Sequence, residues 1–396
     1  MKRFLSFVLI AAFLATPAAQ AAPKKITVKP LQLLTTVGTP TEVSGVLASG
    51  KTLIVYGTKA SKAYARAVDV TGKELWNLSL DQSVASIATA AAVDSVGDIW
   101  VAGATPLALG LIPPSPAASP IDPDNALFPP STSAGNLQAI TIWKVTAAGV
   151  IAFTNTLPTS SAVLPTSISV DRNGASLVGI VGTEKGNAGF FLNADKAGVF
   201  GKLLQIGSAS TTADAVVRHT DGTFTVVGSS SETLAGKKVA GITDGVLIKI
   251  SKSSKITSVV RSSVAKGKRN WNSASSALLL GGEVTADGKT VTAITKFSSS
   301  FSPTWTYRFP STGPAITVGS TYAMFVSTGA APQLNWNPKD ATPLLLTFNA
   351  KGTVVAADSG PVGQKEVLGA VISKELGLLV VTSSANTVSI FTLIPR

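Results

Sequence analysis

The chain has 396 residues, with 33 Lys plus Arg against 21 Asp plus Glu, one His and no Cys. The lack of cysteine excludes a disulfide framework, a thiolate metal site and a cysteine nucleophile, and a single histidine excludes a His-cluster metal site within one chain. Charged residues are 14% of the chain against 45% hydrophobic, a composition that argues against disorder.

In chain order, Lys2 and Arg3 form a basic start, Phe4 to Ala15 a nearly unbroken apolar run and Ala19-Gln20-Ala21 a small-x-small site. This pattern predicts a Sec-type signal peptide over 1–21, cleaved after Ala21, and an extracytoplasmic or secreted mature chain 22–396. The apolar run is shorter than the roughly 20 residues of a membrane span, and no later stretch is long enough, so no transmembrane segment is expected after cleavage. Lys2 and Arg3 are the only charges the signal removes, so the positive excess belongs to the exported part.

Beyond the signal, ITVKPLQLLTTVG (Ile26 to Gly38) reads as a strand segment, and a repeat begins after it. Short β-type runs ending in a small residue recur as TLIVYGT from Thr52, DIWVAGAT from Asp98, SLVGIVGT from Ser176 and TFTVVGSS from Thr223. ALLLGGEV from Ala277, AMFVSTGA from Ala323 and LGLLVVTSS from Leu376 are weaker copies. Their markers Gly57, Gly103, Gly182, Gly228, Gly282, Gly329 and Ser383 stand 46, 79, 46, 54, 47 and 54 residues apart. In each unit one strand leads through an Asp- or Gly-bearing turn into the marker strand, and a third and fourth follow, as in YARAVDVTG from Tyr64 and ELWNLSL from Glu74. Four antiparallel strands per period of forty-odd residues predict an all-β fold, a single β-propeller of seven four-stranded blades, with six or eight as the alternatives. The last unit, from Leu368, ends after three strands. The N-terminal strand within 26–38 is expected to complete it and close the ring.

The stretch Val93 to Thr105 (VDSVGDIWVAGAT), with Ile140 to Gly149 (ITIWKVTAAG), resembles the bacterial beta-propeller repeat often labelled SBBP. Val170 to Gly174, Thr212 to Gly228 and Asp244 to Ser251 are similar to it too. The resemblance covers about half the chain and implies a secreted propeller; no shared catalytic residues come with it.

In a propeller the connections from second to third strands, and from fourth strands to the next blade, emerge on one face. The long ones here, 105–137 (Pro-rich), 229–243 and 329–342, all fall there, which makes that face the candidate for binding. The first carries prolines at 106, 113, 114, 116, 120, 123, 129 and 130, and Asp122-Pro123-Asp124-Asn125 within it lacks the glycine and distal glutamate of an EF-hand loop. A basic group, Lys237, Lys238, Lys266, Lys268 and Arg269, is expected on the same face, where a positive field would attract anionic polymers. Trp271 and Trp336 are expected in loops there, flanked by Asn270, Asn272, Asn335 and Asn337. An aromatic platform beside amides suits a sugar ring or a peptide. Trp76, Trp100, Trp143 and Trp305 fall inside strands and read as core or sheet-surface residues.

Catalytic signals are thin. His219 sits in a turn expected on the opposite face, and no Gly-x-Ser-x-Gly elbow or sialidase-type Asp box is present. Glu184, Asp214, Glu232, Asp244 and Asp340 are the carboxylates available to a glycosidase-like pair on the insertion face. The sequence therefore favours an exported, non-catalytic, monomeric scaffold with no cofactor or metal. Its expected partner is an envelope or extracellular polysaccharide, an anionic polymer or a protein, with nucleic acid last. The alternative is a propeller-type polysaccharide hydrolase or lyase using carboxylates at the central opening.

Overall fold

In a computed structural model, residues 25–81, 85–107 and 137–393 are described. The expected signal peptide and most of the Pro-rich insertion, with Asp122 to Asn125, lie outside them. Each of the first five repeats forms an antiparallel sheet whose four strands follow one another in chain order. The first four-stranded blade spans residues 43–79, the second 87–158, the third 163–206, the fourth 211–262 and the fifth 268–310. Val43–Ser49, Ile87–Val93, Val163–Asp171, Thr211–Arg218, Lys268–Ala274, Ile316–Val318 and Glu366–Ser373 are the innermost strands. Each packs against its neighbours in a closed circuit, so the chain is a single all-β propeller. Among the described residues no helix is long and apolar enough to cross a membrane.

The expected seven four-stranded blades are not all formed, and the N-terminal strand is not used as expected. The described residues make six four-stranded sheets and one sheet of six strands. In the latter, Ile316–Val318, Tyr322–Ser327, Thr342–Phe348 and Val354–Ser359 are joined by Ile26–Pro30, parallel to Val354–Ser359, and by Leu334–Asn335 beyond it. The N-terminal segment 26–38 therefore does not lie in one sheet. Only Gln32–Thr36 pairs antiparallel with Val388–Thr392 and completes the last blade, 366–392. Leu31 divides the segment into two strands serving adjacent sheets, covering two edges that would otherwise expose unpaired backbone groups.

The repeated turns explain why the blades form locally. Asp94 Oδ1 accepts the amides of Val96 and Asp98, and Asp69, Asp195 and Asn349 cap their turns in the same way. These Asx turns reverse the chain at fixed points of the period and set the strand register. The core is distributed over the seams between sheets. Ile54, Ile99 and Trp143 pack between the first two blades; Trp100, Leu177 and Phe190 fill the next seam; and Val43, Leu53, Leu379 and Ile390 join the last blade to the first. Trp100 and Trp143 are fully buried, while Trp76 and Trp305 are half-buried against the core, as their strand positions implied.

Candidate functional site

The long connections occupy one face, after Thr105, Ser230 and Ser327, the ends of second strands. On this face, above the first three blades, a cavity of about 890 Å³ opens. It is assembled from three places in the period. Thr41, Ser86, Ile87, Val163 and Leu164 come from the approaches to inner strands, Ala60 and Ser61 from the first blade's hairpin, and Ile180, Gly182 and Asn187 from the third blade's. Leu137, where the described chain resumes after the insertion, completes the wall. The lining is mainly aliphatic, with Glu42 its one charged member among the described residues, 3.7 Å from Lys59.

The rim is built under strain. Ala60 and Ser61 link Thr52–Lys59 to Lys62–Val68 as a two-residue hairpin, with φ of 48° and 61°. Such a turn needs positive φ at both positions and normally uses Asn-Gly. Side-chain-bearing residues there cost roughly 1 kcal/mol each. The strain is held by neighbours, since the Ser86 amide donates to the Ser61 carbonyl at 2.9 Å and the Ala63 amide to Ser86 Oγ at 2.9 Å. Outliers of this kind persist where surrounding structure fixes them and often mark binding surfaces. No local motif marks the cavity residues, because each is ordinary in its own segment and only closure of the ring brings the segments together.

The residues expected to form an aromatic and basic surface are placed differently. Trp271 is not in a loop but in the fifth blade's inner strand, Lys268–Ala274, and is fully buried, edge-on to Phe297 with ring centroids 5.9 Å apart. A sugar ring cannot reach it. The alternation Asn270-Trp271-Asn272 is the strand signal that places it there: the indole turns into the seam toward the fourth blade, where Gly245 has no side chain to obstruct it. Asn270 and Asn272 are half-buried in the same strand, and their Oδ1 atoms are buried without a hydrogen-bond partner. Arg269 is likewise interior, 7% exposed, with its guanidinium 5.1 Å from the Trp271 ring. Trp336 does lie in the 329–342 connection, but it packs on the six-stranded sheet and donates Nε1–H to Ser327 Oγ at 3.3 Å. Asn335 and Asn337 beside it are exposed. Lys237, Lys238, Lys266 and Lys268 are exposed as expected. The structure therefore separates Trp271 and Arg269 from the surface patch.

The carboxylates that a hydrolase would require are largely occupied. Glu232 accepts the amides of Ser208, Ala209 and Ser210 and the hydroxyls of Ser208 and Thr211, at 2.7 to 3.1 Å. Burial opposes its ionisation, yet these donors outweigh it and pull the carboxyl down to about 2. Asp244, fully buried, takes Arg261 Nε at 2.9 Å and the amides of Ala240 and Gly241. Burial again opposes ionisation, and these bonds still hold Asp244 below the usual range. Asp214 goes the other way: burial raises it to about 6, against bonds from Thr212 and Asn270. Glu184 and Asp340 are exposed. His219 occupies the expected turn, half-buried, with Nε2 2.8 Å from Thr225 Oγ1. Burial lowers its pKa first, with Asp221 and Lys249 acting in opposite directions. Among the described residues no group of three or more His, Asp or Glu is placed to hold a metal ion.

No protein-family model and no curated protein sequence matches this chain. In fold the chain is similar to the WD40 domain of Toxoplasma gondii coronin, at 12% identity over 94% of this chain and 90% of that one, with a TM-score of 0.50. It is also similar to the structure of YCF48 bound to D1 peptide, at 10% identity over 96% of this chain and 100% of that one, with a TM-score of 0.51. At these identities the likeness is one of fold.

Proposed function

We propose that this protein is an exported, non-catalytic binding scaffold whose insertion face takes an extended, apolar segment of a protein partner in the cavity above the first three blades. The observation that carries this reading is the cavity itself: about 890 Å³, walled by Ile87, Val163, Leu164 and Ile180 on a rigid ring, with polar groups at its rim. Burying aliphatic side chains there contributes about 25 cal/mol per Å² removed from water, and Ser61, Ser86 and Asn187 in the lining offer polar groups to orient a bound chain. A protein segment suits this wall better than a sugar, because the indole expected to stack on a sugar ring is buried in a seam. The fold tolerates such a ligand, as YCF48 was solved with a peptide, but the reading rests on the cavity.

A displayed library of random peptides tests it. Wild-type protein should enrich sequences with two or more aliphatic residues, and Gly182→Trp should abolish the enrichment while leaving the thermal midpoint nearly unchanged. Gly182 lines the cavity, and a Cβ there meets only ordinary contacts, the nearest at 3.4 Å. Enrichment that survives Gly182→Trp, or none at all from the wild type, overturns the proposal.

A further inference from the structure

At the seam between the fourth and fifth blades, Arg269 and Trp271 meet no carboxylate among the described residues; Asp214 of the fourth blade is taken by Thr212 and Asn270. Arg269 is 7% exposed and Trp271 fully buried, and both Arg269 Nε and Trp271 Nε1 are buried with no acceptor among the described residues. These groups only donate. One Arg269 Nη1–H donates to Ser262 Oγ, and its guanidinium lies against the Trp271 ring. Both side chains reach toward Gly245 of the fourth blade, where an added Cβ would lie 2.6 Å from Trp271 Nε1 and 3.0 Å from Arg269 Cγ.

A second guanidinium shares this face. Trp271 stands opposite Gly282, Gly282 opposite Ala293, and Ala293 opposite Arg308, so all four lie in one cross-strand row; Arg269 joins the same face two residues before Trp271. Gly282 and Ala293, the two residues between Trp271 and Arg308 in the row, carry little side chain, and Ala293 packs in the same apolar cluster as Trp271. Arg308 is exposed and has neither a hydrogen bond nor an ion pair among the described residues. Arg269 feels it: burial first, and the Arg308 charge second, pull its pKa down to about 10. A buried cation is ordinarily paired, and leaving a buried donor unmade costs about 1–3 kcal/mol. Here Arg269 meets a hydroxyl, a ring and another cation.

We propose that Arg269 and Arg308 form an oxyanion site at this seam, which takes the phosphate or sulfate group of a small ion or a polymer. A tetrahedral oxyanion accepts from a planar guanidinium in the fork geometry that an ammonium cannot supply, and it neutralises the repulsion between the two arginines. Arg308 is the solvent-side member and Arg269 the fixed one. Exposed Lys266 and Lys268 stand just before Arg269 in the chain, Lys268 on the opposite face of the strand, and add to the positive field a polymeric ligand would meet. The site is distinct from the cavity above the first three blades and does not depend on it.

The test uses the whole exported chain with inorganic phosphate, sulfate, polyphosphate and chloride at matched ionic strength. Binding is read by calorimetry and by the rise in thermal midpoint. Phosphate and sulfate should bind measurably above chloride, and Arg308→Ala should weaken them by about tenfold or more, the loss of a charge-assisted hydrogen bond. Because Arg308 is exposed, that variant should fold normally, and Arg308→Lys should recover only part of the affinity. Polyphosphate binding more tightly than phosphate assigns the site to a polymer, and equal affinity per site to the free ion; both outcomes support it. Phosphate affinity unchanged in Arg308→Ala, or no preference over chloride, overturns it. General salting-in or salting-out by sulfate affects both proteins alike, so the difference between wild type and variant is the readout.

Discussion

The carboxylate of Glu232 fastens the loop that carries the chain from the third blade to the fourth, and its removal should show as a pH-dependent loss of stability. The loop 207–210 follows the third blade's outer strand, Leu204–Ile206, and turns at Gly207, φ 78°, where an added Cβ would lie 2.4 Å from Glu232 Oε1. Glutamine at 232 keeps one acceptor oxygen and replaces the other with an amide that faces loop N–H groups. The drop of the carboxyl from 4.5 to about 2 corresponds in full to about 3 kcal/mol at about 1.36 kcal/mol per pKa unit. Glu232 is half-buried, and solvent screening reduces this to about 1–2 kcal/mol. A carboxyl whose folded pKa is depressed contributes fully above its unfolded value and loses its contribution as pH falls toward the folded one. Glu232→Gln should therefore be less stable than wild type by a constant amount above about pH 5. The gap should shrink between about pH 4.5 and pH 2, reaching about half near pH 3. Urea unfolding followed by tryptophan fluorescence at pH 7, 5.5, 4 and 3 measures it. A difference that stays constant across that range, or widens at low pH, refutes the reasoning.

Three further outcomes follow from the same geometry. Trp271→Ala empties a fully buried site and should cost about 3–5 kcal/mol in calorimetric unfolding; a surface tryptophan would cost almost nothing. Asp244→Asn strands the buried Arg261 guanidinium and should cost about 3–5 kcal/mol, whereas Asp244→Asn with Arg261→Met should cost less than the sum of the two single changes in a double-mutant cycle. Asp214 carries a carboxyl that burial raises to about 6, so the folded state holds its proton more tightly and stability falls as pH rises from about 4 through 6. Asp214→Asn should accordingly be near neutral at pH 4 and stabilising by about 1–2 kcal/mol at pH 7.5, as measured by urea midpoints.

The fold was legible because the repeat writes the same local instruction many times. Asx turns at Asp69, Asp94, Asp195 and Asn349, followed by apolar strands at a near-constant spacing, specify an antiparallel sheet whatever its neighbours do. The exceptions arose where the outcome depends on distant segments. Nothing within Ile26 to Gly38 indicates that a break at Leu31 parts it between two sheets. That follows from the open edges left by Val354–Ser359 and Val388–Thr392, more than three hundred residues downstream.

The candidate site was less legible for a related reason. Composition locates charge along the chain, but whether a charge meets solvent or a seam is decided by the neighbouring blade. Lys266, Lys268 and Arg269 look alike in sequence; one residue of register separates exposed Lys268 from Arg269, which turns toward Gly245 and is buried. The alternation Lys268, Asn270, Asn272 against Arg269, Trp271 carried that information, but a basic residue on the inward side disguised it as a loop. An arginine that takes an apolar position in a strand, opposite a glycine in the adjacent sheet, has exchanged solvent for a seam. Unless a carboxylate shares that seam, its buried charge carries the full cost of being unpaired. The same rule separates Arg261 from Arg269: the first meets Asp244 at 2.9 Å, while the second donates to Ser262 Oγ, lies against the Trp271 ring and has no ion pair among the described residues.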